Sequence, residues 1–163
     1  MELLKTMKKH PVTYRSPNYK PSKAEVFALE QYYKIHLPTD YFKFLLNHNG
    51  GYPEPCLFTK NPDLGIIAIN WLNGLLKGKN GLVWNIEIYD GRIPKRFLAI
   101  GDDPGGNQIC LDVSSNSTNG AVYFWDHEEE YEFDNENEIL NNMYFLTNSF
   151  GSLTTNLVTD EEL

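Results

Sequence analysis

Phe97-Leu98-Ala99-Ile100-Gly101-Asp102-Asp103-Pro104-Gly105-Gly106-Asn107-Gln108-Ile109-Cys110-Leu111-Asp112-Val113, followed after the polar stretch Ser114 to Gly120 by Ala121-Val122-Tyr123-Phe124-Trp125, decides the fold. Two apolar runs flank a Gly- and Asp-rich turn, and a third follows a second turn, which is the pattern of consecutive antiparallel strands. Alternation places Ile109, Leu111 and Val113 on one face of the central strand and Cys110 and Asp112 on the other. Upstream, Ile66, Ile67 and Ile69 run into Trp71, and Ile86-Glu87-Ile88-Tyr89 alternates, so further strands are expected there.

The first half reads as helical. Ser22-Lys23-Ala24-Glu25 has the spacing of a capping box, and Val26, Leu29 and Tyr33 follow at helical intervals. Pro38 is expected to close that helix and open a second one through Tyr41, Phe42, Phe44, Leu45 and Leu46, which Asn49-Gly50-Gly51 stops. Residues 1–21, with Pro11, Pro17 and Pro21 around Val12-Thr13-Tyr14, predict an extended arm or edge strand, and residues 22–163 the folded domain. At the other end Ile139, Met143, Leu146, Phe150, Leu153 and Leu157 are spaced like one stripe of a helix lying on the sheet. Trp125 is expected to be a core residue packed against Met143, Leu146 and Phe150 of that stripe. The fold class is therefore α+β: a single domain in which an antiparallel twisted sheet carries two N-terminal helices and a C-terminal helix.

A chain of 163 residues with 41% hydrophobic residues, 9 Phe, 10 Tyr and 3 Trp has enough apolar material for one core and excludes disorder over its whole length. Its longest apolar stretch, Leu64 to Leu76, is broken by Asn70 and Asn73 and falls short of the ~20 residues of a membrane span. The N-terminus mixes charge into its apolar residues without a signal-like core, so a cytoplasmic location is expected. The net charge of −8 is divided unevenly along the chain. All 14 Lys and Arg lie at or before Arg96, with 8 acidic residues among them; the rest of the chain holds 14 acidic residues and no basic one. The densest run is Asp126, Glu128, Glu129, Glu130, Glu132, Asp134, Glu136 and Glu138, which repels phosphates. A basic cluster at Lys5, Lys8, Lys9, Arg15, Lys20 and Lys23 lacks any base-reading motif and reads as a solvated face, so direct nucleic-acid binding is not expected.

No catalytic constellation emerges. Gly74-Leu75-Leu76-Lys77-Gly78-Lys79 is one residue short of a phosphate loop, and Asn80 stands where the hydroxyl residue belongs. In the Gly101 to Asn107 turn, adjacent Asp102 and Asp103 would repel a phosphate, and they do not match a calcium loop. His10, His36, His48 and His127 stand too far apart to suggest a metal site, and Cys56 and Cys110 read as two partly buried thiols. His127, between Asp126 and Glu128, would be the natural candidate for proton transfer but reads instead as a strand-end residue in an acidic turn. No catalytic residue, metal or cofactor is expected.

Several segments in order resemble the SUKH superfamily. His36-Leu37-Pro38-Thr39-Asp40-Tyr41-Phe42-Lys43-Phe44-Leu45 through Asn49-Gly50-Gly51 is similar to the family's opening signature. Ile93-Pro94, Phe97 to Asp112 and Val122-Tyr123-Phe124-Trp125-Asp126-His127-Glu128 resemble its central block, and Tyr144 to Phe150 its closing helix, so that the likeness runs from Ser22 to Val158. The resemblance implies that Leu37, Pro38, Asn49, Gly50, Gly51, Gly101, Asp102, Gly105, Gly106 and Trp125 serve the fold. It also implies a protein that neutralises a cognate bacterial toxin, expected to be a nuclease domain, by binding it. The acidic half suits that task, and Asp126, Glu128, Glu129, Glu130, Glu132 and Asp134 are the expected partner-facing residues. The alternative is a regulatory scaffold like the yeast cell-wall assembly regulator of the same group.

Overall fold

The computed structural model describes residues 11–163; Lys5, Lys8, Lys9 and His10, and the first half of the expected arm, lie outside them. A five-stranded antiparallel sheet organises the molecule: β5 (Trp71–Leu72), β6 (Phe97–Asp102), β7 (Gln108–Asp112), β8 (Val122–Trp125) and β9 (Met143–Thr147) lie side by side in chain order. The Gln108–Trp125 hairpin pairs as its alternation predicts, Ile109 opposite Phe124 and Cys110 opposite Tyr123. Two antiparallel ribbons accompany the sheet. One joins β1 (Thr13–Arg15) to β2 (Tyr52–Glu54), the other β3 (Leu57–Phe58) to β4 (Ile67–Ala68).

Each sheet face has its own core. On one, Leu98, Ile100, Ile109, Leu111, Val122 and Phe124 are covered by α1 (Lys23–Tyr33), α2 (Thr39–Asn47) and α4 (Phe150–Thr155). The Ser22 cap is formed as its spacing predicts: its side chain accepts the Glu25 N–H, and the Glu25 carboxylate accepts the Ser22 N–H. Tyr41 of α2 meets Phe150 of α4 edge-on and Phe44 meets it at a tilt, with ring centroids 5.1 and 4.9 Å apart. On the other face Phe97, Ala99, Cys110, Tyr123 and Trp125 pack with Ile93, Leu140 and Met143. α3 (Leu82–Ile88) lies along the β5–β6 side of the sheet, with Leu82 in the first core and Tyr89, just past its end, against the second.

Asn49-Gly50-Gly51 does more than stop α2. Asn49 is fully buried at φ +54°, its Nδ2 donates to the carbonyls of Tyr19 and Leu75, and its Oδ1 accepts the Leu75 N–H at 2.7 Å. A Cβ on Gly50, at φ +90°, would stand 2.6 Å from the Leu72 carbonyl oxygen, so only glycine lets the chain cross β5 here. The crossing also seats the extended arm, whose Tyr14 ring meets Phe44 and His48 at 5.1 and 4.6 Å. Deletion of residues 1–20 is expected to leave a cooperative thermal melt at a lower midpoint. A melt that loses cooperativity would place the arm inside the folding unit.

Four sequence expectations need correction. Ile86 to Tyr89 belongs to helix α3 and its end, because the side chains that turn inward are Leu82, Asn85, Ile86 and Tyr89, a helical interval that outweighs the two-residue alternation of Ile86 and Ile88. The stripe from Ile139 to Leu157 is divided between β9 and the short α4: Met143 faces the second core and Leu146 the first, as residues three apart on a strand must. Trp125 is consequently buried on the face opposite Phe150 and Leu146, with Met143 as the shared neighbour. Finally α1 ends before Pro38 exerts any effect, at Lys34 in the left-handed conformation, φ 53°.

Candidate partner-binding surface

The acidic run forms a loop tied at its base. Leaving β8, Asp126 donates its N–H to the Asn142 carbonyl at 2.9 Å and accepts the Asn142 Nδ2–H on its own carbonyl at 2.8 Å. The Asp126 carboxylate caps a 3-10 turn, His127–Glu129, by accepting the Glu128 N–H. From there Tyr131, Phe133 and Leu140 are pressed onto the second core, and this apolar underside leaves the carboxylates on the outer surface. Glu128, Glu129, Glu130, Glu132, Asp134, Glu136 and Glu138 are all exposed, and Asp126 is half-buried at the loop's root.

The last cations of the chain hold this loop down. Arg92 makes a two-pronged contact with Glu130, Nε and Nη2 to the two carboxylate oxygens at 2.8 and 3.0 Å, while its guanidinium lies over the rings of Tyr89 and Trp125. The Lys95 N–H donates to the Glu136 carboxylate at 2.8 Å, and Arg96 Nη1 to the Asn137 carbonyl at 3.0 Å. Arg96 also reaches inward, where Nε and Nη2 hold Asp112 Oδ2 at 3.0 and 2.8 Å. Burial opposes the charge of Asp112, but hydrogen bonds from Ser114 and Arg96 outweigh it and hold the carboxyl below its ordinary range. Of the six expected partner-facing residues, Glu130 is thus engaged within the chain and positions the loop. Arg92 and Arg96 escaped the sequence reading. The signal was available, since they are the final cations before an entirely acidic half, and Asp112 sits within a strand that needs a counter-charge.

The other singled-out residues have structural partners. A bulge between Ala99 and Gly101 brings a Cβ at Gly101 to 2.6 Å from the Trp71 carbonyl oxygen, and Gly106 closes the β6–β7 turn at φ +88°. In that turn Asp103 accepts both the N–H and the Nδ2–H of Asn107, which fixes the amide so that Asn107 Oδ1 accepts the N–H and Nδ1–H of His127 at 3.1 and 2.7 Å. His127 therefore fastens the turn to the acidic loop. Cys110 is buried, its thiol pushed well up by burial, and Cys56 accepts the Tyr52 hydroxyl hydrogen; both are free thiols. Among the described residues no group of His, Cys, Asp and Glu could hold a metal ion, and no helix is long and apolar enough to cross a membrane.

A sheet with two glycine-built crossings thus carries a helix pair, the first capped by Ser22, on one face and a laced loop on the other. Residues 20–154 match the model of the SMI1 / KNR4 family (SUKH-1). The chain belongs to that family. It is also similar to the SPbeta prophage-derived uncharacterized protein YokK of Bacillus subtilis (strain 168), with 32% identity over 109 residues, covering 56% of this chain and 55% of that protein. The chain spans about half the length of the curated relative it matches. Family membership agrees with the SUKH resemblance of the Leu37-Pro38, Asn49-Gly50-Gly51 and Gly101 to Trp125 segments. It is consistent with proteins of the immunity type.

Proposed function

We propose that this SUKH-1 protein is an immunity protein, a non-enzymatic binder that neutralises a cognate toxin whose toxic domain is a nuclease. The observation that carries the reading is the acidic loop from Asp126 to Glu138. Seven of its eight carboxylates are exposed, and among the described residues only Glu130 of the run has an ion-pair partner. Seven carboxylates held in one exposed loop repel one another and attract a cationic surface, and a nuclease cleft shaped for a polyanion is such a surface. Asp126, Glu128, Glu129, Glu132 and Asp134 are its partner-facing residues; Glu130 keeps the loop in place through Arg92.

The test separates these two roles. Converting Glu128 and Glu129 to Gln should slow association with the toxin domain by roughly tenfold at low salt and flatten its salt dependence, with an unchanged melting temperature. Glu130→Gln should instead act on the loop, raising the rate of amide exchange across Tyr131 to Glu138. Association at low salt that is unchanged in the Glu128/Glu129 variant removes the loop from the interface.

A further inference from the structure

Strand register places Trp71 beside Asp102, Asp102 beside Gln108 and Gln108 beside Trp125, so the four side chains form a row across one face of the sheet, neighbouring Cβ atoms about 5 Å apart. Over the Trp71 end of this row opens a cleft of about 610 Å³, whose far wall is α3 with the Trp84 indole. Two atoms in the cleft have unmet hydrogen-bonding demand. Gln108 is only 4% exposed, and its Nε2 donates to the Gly106 carbonyl, which leaves Oε1 as a buried acceptor without a partner among the described residues. Trp71 Nε1, also buried, lacks an acceptor among the described residues. A buried polar atom left unpaired is costly, and a fitting ligand would recover that cost.

Asp102, next to Gln108 in the row, accepts a hydrogen bond from Asn70 Nδ2 at 3.3 Å. Burial pushes its carboxyl upward, while Asn70, Lys79 and the Trp71 backbone favour its charged form. Two acceptors side by side, a carboxylate and an amide oxygen, would repel a phosphate or carboxylate ligand. Trp71 and Trp84 line the same cleft, and Trp84 remains 40% exposed despite its size. Of the resident cations, Arg15 lies over the Tyr52 ring at 4.8 Å, and Lys79 lines the cleft as a competitor for Asp102.

We propose that the cleft between Trp71 and Trp84 is an anchor pocket for an arginine side chain of a basic polypeptide partner, whose guanidinium N–H groups are accepted by Asp102 and Gln108. Guanidinium is a flat group with five donors and no acceptor, and it stacks on aromatic faces; no other protein side chain meets a paired acceptor edge and two indole walls at once. The Trp71 indole N–H then donates to a main-chain carbonyl next to the anchored residue. The assignment rests on the reading that the partner is a basic protein and adds a second contact point to the acidic loop.

The test needs no toxin. Acetyl-Gly-Arg-Gly-amide, its citrulline counterpart and AMP are titrated into the full chain while the indole N–H resonances of Trp71, Trp84 and Trp125 are followed. The arginine peptide should give saturable shifts of Trp71 and Trp84 at millimolar concentration, with Trp125 unmoved. Citrulline should bind at least tenfold more weakly, Asp102→Asn should abolish the shifts, and Lys79→Gln, which removes the competing cation, should tighten binding at least twofold. Equal response to citrulline, an Asp102→Asn variant that binds like the wild type with the same melting temperature, or shifts with AMP in place of arginine would each overturn the assignment. Failure here would leave the salt-dependent association of the acidic loop untouched, so the two readings fall separately.

Discussion

Trp125→Ala is expected to cost about 3–5 kcal/mol, the range for deleting a packed aromatic side chain, and to lower the melting temperature by roughly 10 °C or more in a domain of this size. The side chain is 0% exposed, meets Tyr89 edge-on at 5.6 Å and lies between the sheet and the acidic loop. Its indole nitrogen is buried without a partner among the described residues, so Trp125→Phe, which retains most of the apolar area and removes that donor, should cost much less. A double-mutant cycle locates the packing. Trp125→Ala should couple with Tyr89→Ala by more than about 0.5 kcal/mol and be additive with Phe150→Ala. Coupling to Phe150 would restore the helical stripe against the sheet. An alanine variant that melts like the wild type but no longer binds a partner would make Trp125 an exposed anchor.

Arg96→Ala is expected to destabilise by a similar amount, about 3–5 kcal/mol, because it strips the counter-charge from a buried carboxylate. Asp112 is 0% exposed, and the guanidinium that holds it at 2.8 Å also reaches Thr118 and Asn137, so a single side chain joins β7, the β7–β8 turn and the acidic loop. Replacing both partners, Arg96→Met with Asp112→Leu, should cost less than the sum of the single changes, since no charge is then left uncompensated. The pH dependence follows from the sign of the shift. The folded carboxyl lies below its ordinary value, so its contribution is complete above the unfolded pKa near ~3.9 and is lost as pH falls through the lower folded value. The stability gap between wild type and Arg96→Ala should therefore narrow below about pH 4 in urea titrations. A gap that is constant across that window would assign the loss to packing.

What could be read from the residues was whatever depended on local chemistry. The Ser22–Glu25 capping box, the stop at Asn49-Gly50-Gly51 and the Gln108–Trp125 hairpin each rest on side-chain and backbone interactions within a few positions, and the structure shows all three. The α3 and β9 segments were misread because spacing alone was ambiguous there: seven helical residues hold too few turns to reveal their period, and apolar residues three and four apart also fit a strand, a turn and a helix in succession. The division of charge between the two halves of the sequence was plain. That Arg92, Lys95 and Arg96 close it in space, lacing the acidic loop to the second core, depends on chain reversals that no local pattern specifies. The Trp71–Asp102–Gln108 row was hidden for the same reason, as it is assembled from three strands.

The proposed immunity function rests on the exposed carboxylate loop and on the two-core sheet beneath it. The measurement that tests this proposal most directly is survival of cells expressing the proposed cognate toxin domain, sought in the genes neighbouring that of this chain. Co-expression of the wild-type chain should restore growth, and the Glu128/Glu129→Gln variant, folded and equally abundant, should restore it less. Growth arrest undiminished by the wild-type chain, with no complex between the two proteins at low salt, would contradict the account.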